Sequence, residues 1–356
     1  MTQVFHYRQP FALESGLSLP GYHLAYTTYG KLNATGDNVV WVFHALTANS
    51  DPAEWWPGLV GDACLLNPAD YFIVCVNMPG SCYGSICPLD IDPGTGLPYF
   101  HEFPFFTTRD MARAYQPLKE LLGITRIHIG IGGSMGGQQL IEWAIVEPWL
   151  FHYIIPIATN ARHSPWGVAF NTAQRMAIEA DSTWVQRKEN AGMDGMRAAR
   201  ATALLSYRHY DTYSRMQPRP PCFLGESEIR LTGNGAASYQ RYQGEKLVRR
   251  FSAFSYYKLS QSMDSHDVSR GRISLEKALK EIRARTLVIG IESDILFPLL
   301  EQQLLASFIP DADFKIIRSI YGHDGFLLEF VQITDLVNEF LVKFQDKNGS
   351  KRIYHL

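Results

Sequence analysis

Hydrophobic and polar positions change rhythm along the chain in a regular way. Residues 4–30 alternate over two or three short runs, which predicts strands, the last of them over 22–29 and closed by a turn at Gly30-Lys31-Leu32-Asn33. Residues 38–43 and 71–76 are almost wholly apolar and rich in β-branched side chains, the pattern of strands buried on both faces. Thr107 followed three residues later by Asp110 has capping-box spacing, and the helical period after it predicts a helix to about residue 122. A strand over 126–131, a helix over 138–146 and a strand over 153–158 follow. Strand and helix in alternation predict a mostly parallel, doubly wound α/β sheet.

From about residue 165 to 274 no central strand is legible. Helix-like stretches fill the interval at 170–180, 195–207 and 239–263. The strand pattern resumes at 285–291 and 313–317, and residues 331–344 predict a closing helix. The chain therefore divides into a core in two pieces, 1–164 and 275–356, interrupted by a helical insertion over 165–274. Insertions at strand ends commonly form lids over active sites. Residues 79–104, rich in Gly, Pro and Asp, are too long for a plain connector and predict a structured loop near the site.

Composition narrows the function classes. With 46% hydrophobic and 19% charged residues over 356 positions, the chain can bury a large core and is not compositionally disordered. A net charge of -2 offers no electrostatic case for nucleic acid or an anionic membrane. Neither a basic start followed by an apolar run nor an apolar run near the ~18 residues of a spanning helix is legible, so the expectation is a cytoplasmic protein. The five cysteines, Cys64, Cys75, Cys82, Cys87 and Cys222, have no C-x-x-C spacing. Free thiols in a reducing compartment are expected, with no metal site.

The chemistry concentrates between the strand at 126–131 and the helix at 138–146, where Gly132-Gly133-Ser134-Met135-Gly136 reads G-x-S-x-G. A sharp strand-turn-helix corner lifts the Ser134 hydroxyl clear of the sheet, and the flanking glycines are required because a Cβ there would meet the strand or helix. A serine hydroxyl is a weak nucleophile and needs a base held by a carboxylate. Asp294, just after the strand at 285–291, and His323, after the strand at 313–317, come in the right order for those roles. Backbone N–H groups of Met135 and Leu46 are candidates for an oxyanion hole, and that role falls to the backbone rather than to the imidazole of His44.

Beyond these residues, the chain resembles the homoserine O-acetyltransferase family of the α/β-hydrolase kind over nearly its whole length. The likeness is carried by residues 25–33 (A-Y-T-T-Y-G-K-L-N), His44-Ala45-Leu46-Thr47, Cys82-Tyr83-Gly84-Ser85, Arg109-Asp110-Met111, Gly132-Gly133-Ser134-Met135-Gly136-Gly137, Tyr242-Gln243-Gly244 with Lys246, and Gly322-His323-Asp324 before Phe326-Leu327-Leu328-Glu329. The resemblance implies Ser134, Asp294 and His323 as a catalytic triad, an acyl-serine intermediate, and a helical lid used for homodimerisation. It further implies that Arg200, in the Ala199-Arg200 pair, binds the acceptor carboxylate and that Asp324 holds its amine. The implied substrates are acetyl-CoA, which enters as a substrate and not as a bound cofactor, and L-homoserine, in methionine biosynthesis.

Three segments depart from the family pattern: Ala48-Asn49-Ser50-Asp51 stands for G-D-S-H, Gly84-Ser85-Ile86-Cys87-Pro88 for G-S-T-G-P, and residues 250–256 read R-F-S-A-F-S-Y. All three are expected to line the pocket. Two alternatives remain open from sequence: a hydrolase or thioesterase with water as acceptor, and a transferase using serine or succinyl-CoA. A binding module that has kept the fold is the non-enzymatic rival.

Overall fold

The computed structural model of the protein describes residues 2–217 and 235–345, with side chains through 343; Cys222 lies outside the described residues. The first strands are β1 (Gln3–Tyr7), β2 (Phe11–Ala12), β3 (Ser18–Leu19), β4 (Tyr22–Tyr29) and β5 (Val39–Phe43). After a single-turn helix α1 (Pro52–Trp55) come β6 (Phe72–Val76), α2 (Thr108–Leu121), β7 (Ile127–Gly133), α3 (Met135–Val146) and β8 (Phe151–Ile157). Thr107 caps α2 with the anticipated reciprocal bonds to Asp110. Among the described residues, six helices separate β8 from the next strand: α4 (Pro165–Glu179), α5 (Met193–Tyr207), α6 (Tyr210–Met216), α7 (Gly235–Val248), α8 (Ala253–Asp264) and α9 (Leu275–Lys280). The chain then forms β9 (Arg285–Ile291), α10 (Leu299–Phe308), β10 (Ala312–Ile317), α11 (Gly325–Leu328) and α12 (Phe330–Gln345).

Among the described residues, eight strands make one sheet in the order β1-β4-β6-β5-β7-β8-β9-β10. Pairing is antiparallel from β1 through β4 to β6 and parallel from β6 to β10. Strand β5 explains the apolar run: Trp41 and Phe43 enter one core with Tyr115 and Trp143, while Val40 and Val42 enter the other with Leu59, Ile73 and Phe340. A strand between two cores has no polar face to show. Because β7, β9 and β10 run parallel, the residues that follow them gather at one sheet edge, where ligands bind in open α/β sheets.

The helical interval leaves and rejoins the core at one place. Arg162 and Asp267 form an isolated antiparallel bridge, with Val268 N–H donating to Ala161 O and His163 N–H to His266 O at 3.0 and 2.9 Å. Behind it, Glu142 on α3 is bonded to Arg109 of α2 and to Arg272. One difference from the sequence reading stands out: the stretch over 239–263 is two helices. Phe251 is buried at the corner between α7 and α8, which continues the apolar period through a turn that periodicity cannot register, and the extended Ser252 opens α8. The short helices α6 and α9 were likewise invisible to pattern.

Among the described residues no helix is long and apolar enough to cross a membrane. Cys64, Cys75, Cys82 and Cys87 are free.

Candidate active site

Ser134 joins β7 to α3 with φ 56° and ψ -128°, a strained conformation for any residue with a Cβ. It is held there from several sides. Its N–H donates to Ile157 O at 3.0 Å, and its carbonyl accepts from Thr159 Oγ1 at 2.8 Å. A Cβ on Gly136 would lie 2.2 Å from Phe43 O, and one on Gly132 2.8 Å from the Gly136 carbonyl carbon. The two glycines let strand and helix pass at this distance, as the motif predicts. Met135 is the first residue of α3, so its N–H has no intrahelical acceptor and sits at the positive end of the helix.

Asp294 follows β9 after two residues and is locked in place. Its Oδ1 accepts from the N–H groups of Leu296 and Phe297 at 2.8 and 2.9 Å, and its Oδ2 lies 2.7 Å from His323 Nδ1. His323 sits in a short 3-10 turn after β10, buried, with Phe297 stacked on its ring at 5.0 Å and Phe326 edge-on at 5.4 Å. Burial disfavours the imidazolium. The charge and hydrogen bond of Asp294, with a further contribution from Asp324, outweigh it and hold the His323 pKa above the usual histidine value.

Ser134 and His323 line one cavity of about 510 Å³ together with Leu46, Arg200 and Asp324. The cavity thus gathers five of the seven residues singled out from sequence. Asp294 stands directly behind His323, and Met135 is buried behind Ser134. His44 is excluded from proton transfer. Its Nδ1 donates to Ala45 O and its Nε2 accepts from Met78 N–H, while burial pushes its pKa down to about 4. Its neutral ring shapes the loop that carries Leu46.

Sequence reading missed Tyr207, Arg208, Glu54 and Trp55, which also line the cavity. Of these, Tyr207 carried a signal: it lies seven residues, two helical turns, from Arg200 on α5, and the Arg200 guanidinium packs over its ring at 5.4 Å. Of the three departing segments, Ala48, Asn49 and Arg250 reach the cavity. The segment at 84–88 does not. Ser85 is buried and donates to Asn77 O at 2.5 Å while accepting from Ala25 N–H at 2.9 Å, and Ile86 and Cys87 are core residues.

The family described as alpha/beta hydrolase fold matches residues 38–330. The chain is 45% identical to the homoserine O-acetyltransferase of Cyclobacterium marinum over 350 residues, covering 98% of this chain and 97% of that protein. In structure it is similar to the homoserine O-acetyltransferase from Bacillus anthracis (TM-score 0.87, 24% identity, 96% of this chain and 97% of that one). It is also similar to esterase E22 (TM-score 0.86, 21% identity, 96% and 99%). At these identities the two structures speak to the fold alone. With the sequence relationship over nearly its full length, the strained serine corner and the Asp294–His323 pair at the same sheet edge, the chain belongs to the homoserine O-acetyltransferase family of the α/β-hydrolase fold.

Proposed function

We propose that the protein transfers an acetyl group from acetyl-CoA to the hydroxyl of L-homoserine through an acyl-Ser134 intermediate. Ser134 Oγ attacks the thioester carbonyl as its proton passes to His323, with Asp294 fixing the imidazole and taking up its positive charge electrostatically. The N–H groups of Leu46 and Met135 hold the tetrahedral oxyanion. His323 then protonates the departing thiolate of CoA, and the thioester C–S bond breaks. In the second half, the acceptor hydroxyl gives its proton to His323 and attacks the acyl-serine, and the proton returns to Ser134 as the ester is released.

The observation that carries this reading is the composition of the cavity wall around Ser134. Arg200 offers a planar fork to a carboxylate and Asp324 a counter-charge to an ammonium, which suits a zwitterionic acceptor whose hydroxyl must reach the serine. Water needs neither. Lys246 and Arg250 add positive charge to the same wall, compatible with an anionic donor. A lid formed by residues 165–274, assembly as a homodimer through it, a cytoplasmic place of action and a role in methionine biosynthesis belong to the same proposal.

The test is intact-protein mass spectrometry after mixing with acetyl-CoA or succinyl-CoA, followed by discharge with L-homoserine, L-serine or buffer alone. A mass gain of one acetyl group, removed rapidly only by homoserine, is the expected result. Thiol release at the same rate with and without an amino acid would instead identify a hydrolase.

A further inference from the structure

At the end of α5 the helical interval touches the turn that carries His323. Gly322, at φ +65°, passes so close to the backbone of residues 207–209 that a Cβ on it would lie 2.9 Å from His209 N and 3.0 Å from the Arg208 carbonyl carbon. The Thr212 hydroxyl donates to Ile320 O, and the Tyr207 ring stands 5.9 Å from the His323 ring. At this junction Arg208 Nε lies 3.0 Å from Asp324 Oδ2, both side chains mostly buried.

We infer that Arg208 is a positioning residue: its guanidinium holds the Asp324 carboxylate at the cavity wall for an acceptor ammonium and limits its pull as a second counter-ion to His323. The inference rests on the acyl-transfer reading above. Two features support it. First, although the ions are in contact, the buried Arg208 Nε–H has no hydrogen-bond partner among the described residues. The pair is therefore held by charge and not by a directed Nε–H bond, so an ammonium need not displace such a bond to reach Asp324. Second, Asp324 adjoins the general base in sequence and adds to the pull that raises the His323 pKa.

The groups facing His323 are Asp294 from the β9 loop, Asp324 from its own turn, and Tyr207 with Arg200 and Arg208 from α5 and its end. Asp294 already favours the imidazolium. A second carboxylate left unneutralised beside it would hold the proton more tightly and weaken His323 as a base. Arg208 offsets that carboxylate from the lid side.

The experiment compares wild type, Arg208→Gln, Arg208→Lys, Asp324→Asn and the Arg208→Gln/Asp324→Asn double variant. Two readouts are taken: the pH dependence of acylation by p-nitrophenyl acetate without acceptor, and KM for L-homoserine. Arg208→Gln is expected to move the acid limb of acylation to higher pH and to raise KM about tenfold, with kcat above the limb little changed. Asp324→Asn moves the limb the opposite way. The double variant matches Asp324→Asn, because Arg208 acts through that carboxylate. Arg208→Lys keeps the limb and raises KM about threefold, a point charge replacing the fork. Unchanged limb and KM in Arg208→Gln, or an equal limb shift with and without Asp324, overturns the inference. Should the glutamine variant not fold, an unchanged KM in Arg208→Lys does so. A wild type that shows no acylation burst defeats the functional reading itself, whereas a normal burst with unmoved variants defeats only the role of Arg208.

Discussion

Asp294 and His323 meet through a 2.7 Å contact between Oδ2 and Nδ1, and the other oxygen of Asp294 is already committed to the N–H groups of Leu296 and Phe297. The carboxylate cannot rotate without losing two backbone bonds, so the imidazole it holds cannot rotate either. A proton on Nδ1 is the only one that satisfies Asp294, which leaves Nε2 as the basic nitrogen. This single relationship fixes tautomer, orientation and basicity together.

Asp294→Asn tests all three. The amide cannot accept from both backbone N–H groups through one edge while accepting from Nδ1–H through the other, so the imidazole is driven to the wrong tautomer. Acylation of Ser134 by acetyl-CoA is expected to slow by about 10³–10⁴-fold, measured as the burst in stopped flow. In wild type the rate rises with pH as His323 loses its proton, with a midpoint above the ordinary histidine value of 6.5. In the variant the largest pull toward the imidazolium is gone and burial remains, so that midpoint falls.

Arg200→Met separates acceptor binding from chemistry. Arg200 lies over Tyr207 and lines the cavity with Ser134, carried by α5 and not by the turns that hold Asp294 and His323. KM for L-homoserine is expected to rise about 10²-fold, the loss of a charge-assisted bidentate contact, while the acylation burst with acetyl-CoA keeps its rate. A burst slowed as much as turnover would mean that Arg200 serves the donor half-reaction.

What could be read from the sequence follows from how local each feature is. Strand β9 and helix α2 emerge nearly residue for residue, because an unbroken apolar run and a capping box are encoded in adjacent positions. The serine corner is equally local: Gly132 and Gly136 report the collisions that a Cβ would meet. Asp294 and His323 were legible through their place after successive strands. Arg208 was not, since its meaning arises only where the end of α5 lands beside Gly322, more than a hundred residues away in sequence. The break at Phe251 escaped for the opposite reason, as burial at a corner preserves the helical period while the backbone turns.

Gly136→Ala puts the serine corner to a mechanical test. The added methyl would sit 2.2 Å from Phe43 O and 2.8 Å from its carbonyl carbon, backbone atoms of the central strand β5. Nothing there can swing aside. A loss of about 3 kcal/mol or more in urea unfolding is expected, together with loss of acylation. Gly96→Ala is the matched control. It has φ +70° and no atom of the described residues within 4 Å, so strain of about 1 kcal/mol is all it should cost, with activity retained.

The fully buried carboxylate of Glu142 joins Arg109, at 3.2 Å, to Arg272, at 2.9 Å, and so ties α3 to the segment where the helical interval rejoins the core. Burial alone would raise its pKa, but the two guanidinium groups outweigh burial and hold it below the usual carboxylate value. A group with a lowered folded pKa contributes stability that is complete above its unfolded pKa and is lost as pH falls through the folded one. Glu142→Gln removes the charge and leaves Arg109 and Arg272 underneutralised, although Glu14 still pairs with Arg109. At neutral pH the variant should be about 3–5 kcal/mol less stable. In acid, where wild type itself protonates this site, the gap should close. Urea midpoints measured across pH 3 to 8 check both statements; a constant gap would show that the glutamine acts through packing and not through charge.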